Sequence, residues 1–150
     1  MNILIPAKIN YRIALTVAAF RIEYIENNSI SITFAATNVR GDEFQKTVKF
    51  DSGYLRVSPA YSDREVISRI EYDHSNVPEN SSVIEMDNYL KRFQEKWRES
   101  GLCPDPNIYF VEQSSWIPTI PAYNQTNINH ILLVSEDCYV EILCRKWQIS

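Results

Sequence analysis

One hundred and fifty residues suffice for one domain, 1–150, with a core of its own. Fifteen basic side chains against nineteen acidic ones leave a net charge of −4. That balance excludes the broad cationic footprint of a nucleic-acid binder, and no apolar run reaches the ~18–20 residues needed to span a bilayer. The chain holds three glycines, Gly41, Gly53 and Gly101, where average usage gives about ten. Phosphate cradles need glycine because backbone N–H groups must approach the ligand without a Cβ between them. No G-x-G-x-x-G or G-x-x-x-x-G-K occurs, so P-loop and Rossmann readings fall, and no nucleotide or other cofactor is expected.

In chain order, the N-terminal stretch has a faint leader-like look: Lys8 and Arg12 precede the apolar segment Ile13 to Phe20. Arg21 and Glu23 follow at once, which favours a strand around Leu15–Ile25 over a cleaved leader. Asn27-Asn28 forms a turn, and Ser29–Arg40 then alternates Ile30, Ile32, Phe34 and Ala36 with smaller residues. A period of two is what a half-buried strand requires. Arg40-Gly41-Asp42 is a second turn, Glu43–Phe50 another strand, and Asp51-Ser52-Gly53 a third turn leading into a strand at Tyr54–Ser58. Val66–Tyr72 fits a strand or a short helix; read as a strand, by the period of two in Val66, Ile70 and Tyr72, it completes an antiparallel meander.

A helix is expected from about Val83 to Ser100. Ser82 and Glu85 make a capping box, and Val83, Met86, Leu90, Phe93 and Trp97 form one apolar stripe. Gly101 supplies the left-handed cap, and Pro104 forbids continuation. Ile108–Glu112 reads as a strand, Ser114 to Asn129 as an irregular loop, and His130–Ser135 with Cys138–Ile149 as a final hairpin through Glu136-Asp137. Apolar residues on both faces of its second strand make that strand central. The expected fold class is α+β: a curled antiparallel sheet of about seven or eight strands, a meander plus the C-terminal hairpin, packed by one long helix.

The cysteines, Cys103, Cys138 and Cys144, are odd in number and lack a C-x-x-C. That suits free thiols in the cytoplasm rather than a disulfide framework. Three N-x-S/T sequons, at Asn27, Asn80 and Asn124, stand too little above the chance expectation for this composition to argue for secretion. Cys138 and Cys144 stand about 20 Å apart along a strand, too far to share a metal ion. Serine nucleophiles have no G-x-S-x-G elbow, and Asp73-His74 point to opposite faces of any strand.

Trp116 to Asp137 collects the most chemistry, with Trp116 and Tyr123 in a loop, then His130, then Glu136, Asp137 and Glu141. Two functions fit. One is a non-catalytic protein-binding module of inhibitor or immunity type. Its acidic surface and its loop aromatics Trp116, Tyr123 and Tyr61 would dock on a basic partner. The other is a small-molecule binder or minor enzyme using a cup between sheet and helix, with His130 and Asp137 as the working pair. Strand edges of a half-closed sheet also leave a homodimer open.

Overall fold

The computed structural model describes residues 2–14, 20–25, 29–59, 72–73, 75–76, 78, 86–135 and 138–149. Nine strands among them build one open sheet: β1 (Asn2–Pro6), β2 (Arg12–Ile13), β3 (Arg21–Ile25), β4 (Ser29–Thr37), β5 (Glu43–Pro59), β6 (Tyr72–Asp73), β7 (Ile108–Glu112), β8 (Asn129–Val134) and β9 (Cys138–Ile149). Their order is β2-β4-β5-β9-β8-β7-β1-β6, with β3 on the same edge of β4 as β2. Every pair is antiparallel except β1 with β6. The α+β class and the curled sheet, with one α-helix among the described residues, are as the sequence implies. No helix among the described residues is long and apolar enough to cross a membrane.

Chain connectivity forces the curl. β1 and β2 lie six strand positions apart in that order, which is about 29 Å across a flat sheet. The chain from Pro6 to Arg12 reaches at most about 21 Å when fully extended. The sheet must therefore roll until its two ends approach. The short tether then bonds both sides: Ala7 N–H to the Ile108 carbonyl (2.9 Å), Ile13 N–H to Pro106 (3.1 Å) and Ala14 N–H to Ala35 (2.9 Å). Ala7, Ile9 and Tyr11 enter the main apolar cluster inside the roll, beside Ile30, Ile32, Val48, Phe50, Ile131, Leu133 and Ile142. A second cluster, built on Leu4, Tyr109, Val111, Leu132, Val134 and Tyr139, covers part of the opposite face.

Two expectations need correction. Asp51-Ser52-Gly53 is not a turn; β5 runs unbroken for 17 residues. The apolar pattern changes phase there, because Val48 and Phe50 reach the main cluster before the switch and Leu55 after it. On β9 the same change runs from Trp147 to Cys144, Ile142 and Val140. One strand pair thus swings from one face to the other at a corner. Gly53 permits it, since a Cβ there would lie 1.6 Å from the Leu143 carbonyl oxygen. β1 was also not foreseen.

The helix, α1 (Met86–Ser100), ends as its sequence requires, with Gly101 at φ 72° donating to the Trp97 carbonyl at 2.9 Å. Phe93 and Trp97 are buried with Cys103 in a cluster of their own, and Val39 and Tyr89 pack against it. Arg12 lies over the Phe93 ring at 5.5 Å. Leu90, expected in the stripe, is 49% exposed; Tyr89 occupies that turn of the buried face. The capping box at Ser82 and Glu85, Val83, and the strand expected over 66–71 lie outside the described residues.

Candidate functional site

The loop from Ser114 to Ile128 contains two short 3-10 turns, Ile117–Thr119 and Ala122–Asn124. It is strapped across the outer face of β8, β9 and β5 by side chains from each end. Asn2 holds its start in β1: its Oδ1 accepts the Ser115 N–H at 2.7 Å, and its Nδ2 donates to Ser115 Oγ at 3.1 Å. Near its far end Asn124 Nδ2 donates to the Tyr54 hydroxyl at 2.9 Å.

Between these fastenings runs one continuous polar chain. Ser114 Oγ lies 2.7 Å from His130 Nδ1, and His130 Nε2 lies 3.1 Å from Glu141 Oε1. Glu141 Oε2 in turn lies 2.9 Å from Arg56 Nη2. The Arg56 guanidinium sits 3.7 Å from the centre of the Trp116 ring, which meets the His130 ring edge-on at 5.5 Å. Sheet register creates this group. Arg56 pairs directly with Glu141 across β5 and β9, and His130 pairs with Leu143, one diagonal step from Glu141.

A carboxylate only accepts, so His130 Nε2–H donates to Glu141; in the neutral imidazole Nδ1 then accepts the Ser114 O–H. Ser114 Oγ also accepts the N–H groups of Trp116 (3.2 Å) and Ile117 (3.3 Å). Every strong hydrogen-bonding position of the imidazole is therefore used, and its side chain is 1% exposed. The serine hydroxyl is equally committed. Its O–H meets the imidazole and its lone pairs face two backbone amides, so the hydroxyl joins the loop's first turn to β8. This arrangement ties the start of the loop to β8 and β9.

Arg56 differs from its partners. Its side chain is 47% exposed while that of Glu141 is 5% exposed, so the relay ends in a guanidinium at the surface, flat against Trp116. Charge-assisted pairing and ring stacking hold it in one orientation. Tyr123, on the second 3-10 turn, is 78% exposed. The structure thus brings His130 and Trp116 together and leaves Tyr123 outward, while Asp137 and Tyr61 lie outside the described residues. Among those residues the carboxylate facing His130 is Glu141. Ser114 and Arg56 were not foreseen as members of the group; in-register reading of β5, β8 and β9 is the signal that finds them.

The other candidates stay structural. All three cysteines are free. Burial pushes the Cys103 and Cys144 thiols up to about 12, so neither is a ready nucleophile. Cys138 is half-buried, with its Sγ 3.3 Å from Ser135 Oγ. No group of three or more His, Cys, Asp or Glu among the described residues is placed to hold a metal ion. No protein-family model, curated protein or solved structure matches the chain.

Proposed function

We propose that this chain is a non-catalytic protein-binding module of the cytoplasm, docking through the strapped loop and its neighbours Arg56, Trp116 and Tyr123. One observation carries the reading. One loop, fastened by side-chain hydrogen bonds near both ends, carries Trp116 stacked on half-exposed Arg56 and leaves Tyr123 in solvent. Aromatic and arginine side chains dominate binding energy at protein interfaces, and a preorganised loop loses little entropy on association. The exposed guanidinium favours a partner that offers a carboxylate beside an apolar patch, rather than the wholly basic partner suggested by net charge. Free thiols agree with a reducing compartment.

The enzyme-like alternative draws less support. Its imidazole is enclosed, with a side chain only 1% exposed. A photo-crosslinking residue at position 123 tests the proposal in cells. Discrete adducts should form there and disappear when Arg56→Ala is added. The same crosslinker at exposed Lys8 should not give them. Equal adduct patterns from both positions, or none from position 123, would remove this loop as the docking face.

A further inference from the structure

We infer that the cleft at the β5–β9 corner is a binding site for a small, flat carboxylic acid. The cleft measures about 310 Å³, the lower end of the range for small-molecule pockets. Its origin is the corner itself. Where β5 and β9 exchange faces, neighbouring side chains diverge, and Gly53 adds none to the floor. Tyr24 and Ile30, paired across β3 and β4, form one wall, and Asn124 and Ile128 of the strapped loop form the other.

Hydrogen-bond inventory decides the ligand's chemistry. Tyr54 Oη accepts the Asn124 amide N–H, which leaves its own O–H to donate. Tyr24 is 74% exposed and brings a second phenol. Arg145 lines the cleft, is exposed, and has no ion-pair partner among the described residues. Donors therefore converge on a space whose described lining contains no carboxylate, and a bidentate guanidinium matches a carboxylate in shape and charge. Tyr24 and the two isoleucines suit a planar apolar body. The larger cleft near Trp147, about 500 Å³, sets Asp51 beside Lys49 and Lys146 and so lacks this imbalance.

Cinnamate is the probe, with cinnamamide and acetate as its neutral and bodiless counterparts, followed by methyl and amide NMR of the whole chain. Cinnamate should saturate at millimolar concentration or below and shift the Ile30 and Ile128 methyls. Arg145→Gln, at an exposed position that leaves the fold intact, should weaken it about tenfold or more, the effect of one hydrogen bond to a charged group. Tyr54→Phe should weaken it by a smaller factor. Failure of cinnamate to saturate, equal binding of cinnamamide, shifts mapped elsewhere, or unchanged affinity in Arg145→Gln each overturns the site. No residue of the Arg56–Trp116 pair takes part, so this inference and the docking proposal fail independently.

Discussion

The two faces of the β5–β9–β8 layer solve the same problem differently. On the inner face Ile131, Leu133, Val140 and Ile142 are at most 2% exposed and need nothing but shape. On the outer face, one residue away along β9, Glu141 is buried beside His130 and kept there by an ordered chain of donors and acceptors. Apolar packing is non-directional, so it tolerates repacking and says little about where an overlying loop must sit. A polar chain is directional, and each of its members stabilises only when its neighbours are in place. The inner face is apolar packing throughout; the outer face has an apolar cluster of its own and adds to it a polar chain that specifies the position of one loop.

The sharpest way to break that division is at the corner where the faces exchange. Gly53→Ala puts a Cβ onto the Leu143 carbonyl oxygen, and backbone on both strands must move to admit it. We expect a loss above about 4 kcal/mol, or no folded protein at all, measured by urea unfolding. A variant within about 1 kcal/mol of wild type would mean that the corner is not tightly joined.

Adjacent substitutions on β9 compare the faces directly. Ile142→Ala should destabilise by about 3–4 kcal/mol through lost burial and a cavity. Glu141→Ala should cost about 2 kcal/mol: half-exposed Arg56 turns to water, but the buried His130 N–H loses its acceptor. Hydrogen exchange separates the mechanisms. Glu141→Ala should speed exchange at the Trp116 and Ile117 amides, which depend on Ser114, well before the β8–β9 amides. Ile142→Ala should leave that ratio unchanged. Uniform acceleration in Glu141→Ala would show that its carboxylate supports the sheet rather than the loop.

Local signals made much of this legible. The alternation through Ile30–Ala36 and the cap at Gly101 concern residues within one turn or strand, and both hold. β9 was readable as central because Tyr139 to Cys144 are apolar on both faces apart from Glu141. What escaped was non-local. β1 is a short apolar run whose strand character comes from pairing with Glu112–Tyr109. The phase change at Ser52–Gly53 imitates a turn, and only the approach of Leu143 explains the glycine. Leu90 matches the helical stripe by spacing, yet its neighbours bury Tyr89 instead. His130 was found by residue type, whereas its partners depend on cross-strand register, which composition does not carry.

Alkaline pH probes the dry side by charge. Cys103 and Cys144 are raised by burial from near 9 to about 12, and Tyr11 from 10 to about 12. Each loses its proton more readily in the unfolded chain. Stability is therefore full below about pH 9 and falls as pH rises towards 12, by at most about 1.4 kcal/mol per pH unit for each group. Cys144→Ala should flatten part of that slope. A flat profile to pH 11 would mean that these groups are not sealed from water.

The smallest effect belongs to the outermost residue. Tyr123 rests on the strapped loop but contributes little to the strap, so Tyr123→Ala should change stability by less than about 0.5 kcal/mol. Trp116→Ala uncovers Arg56 and the His130 ring edge, and should cost more. The inequality matters more than either value. If the loop exists to present Tyr123, removing that ring spares the fold and abolishes the adducts formed by a crosslinker placed instead at exposed Thr119 of the same loop. If instead Tyr123→Ala destabilises as much as Trp116→Ala, the ring is packing material, and the outer face ends at the loop rather than at a partner.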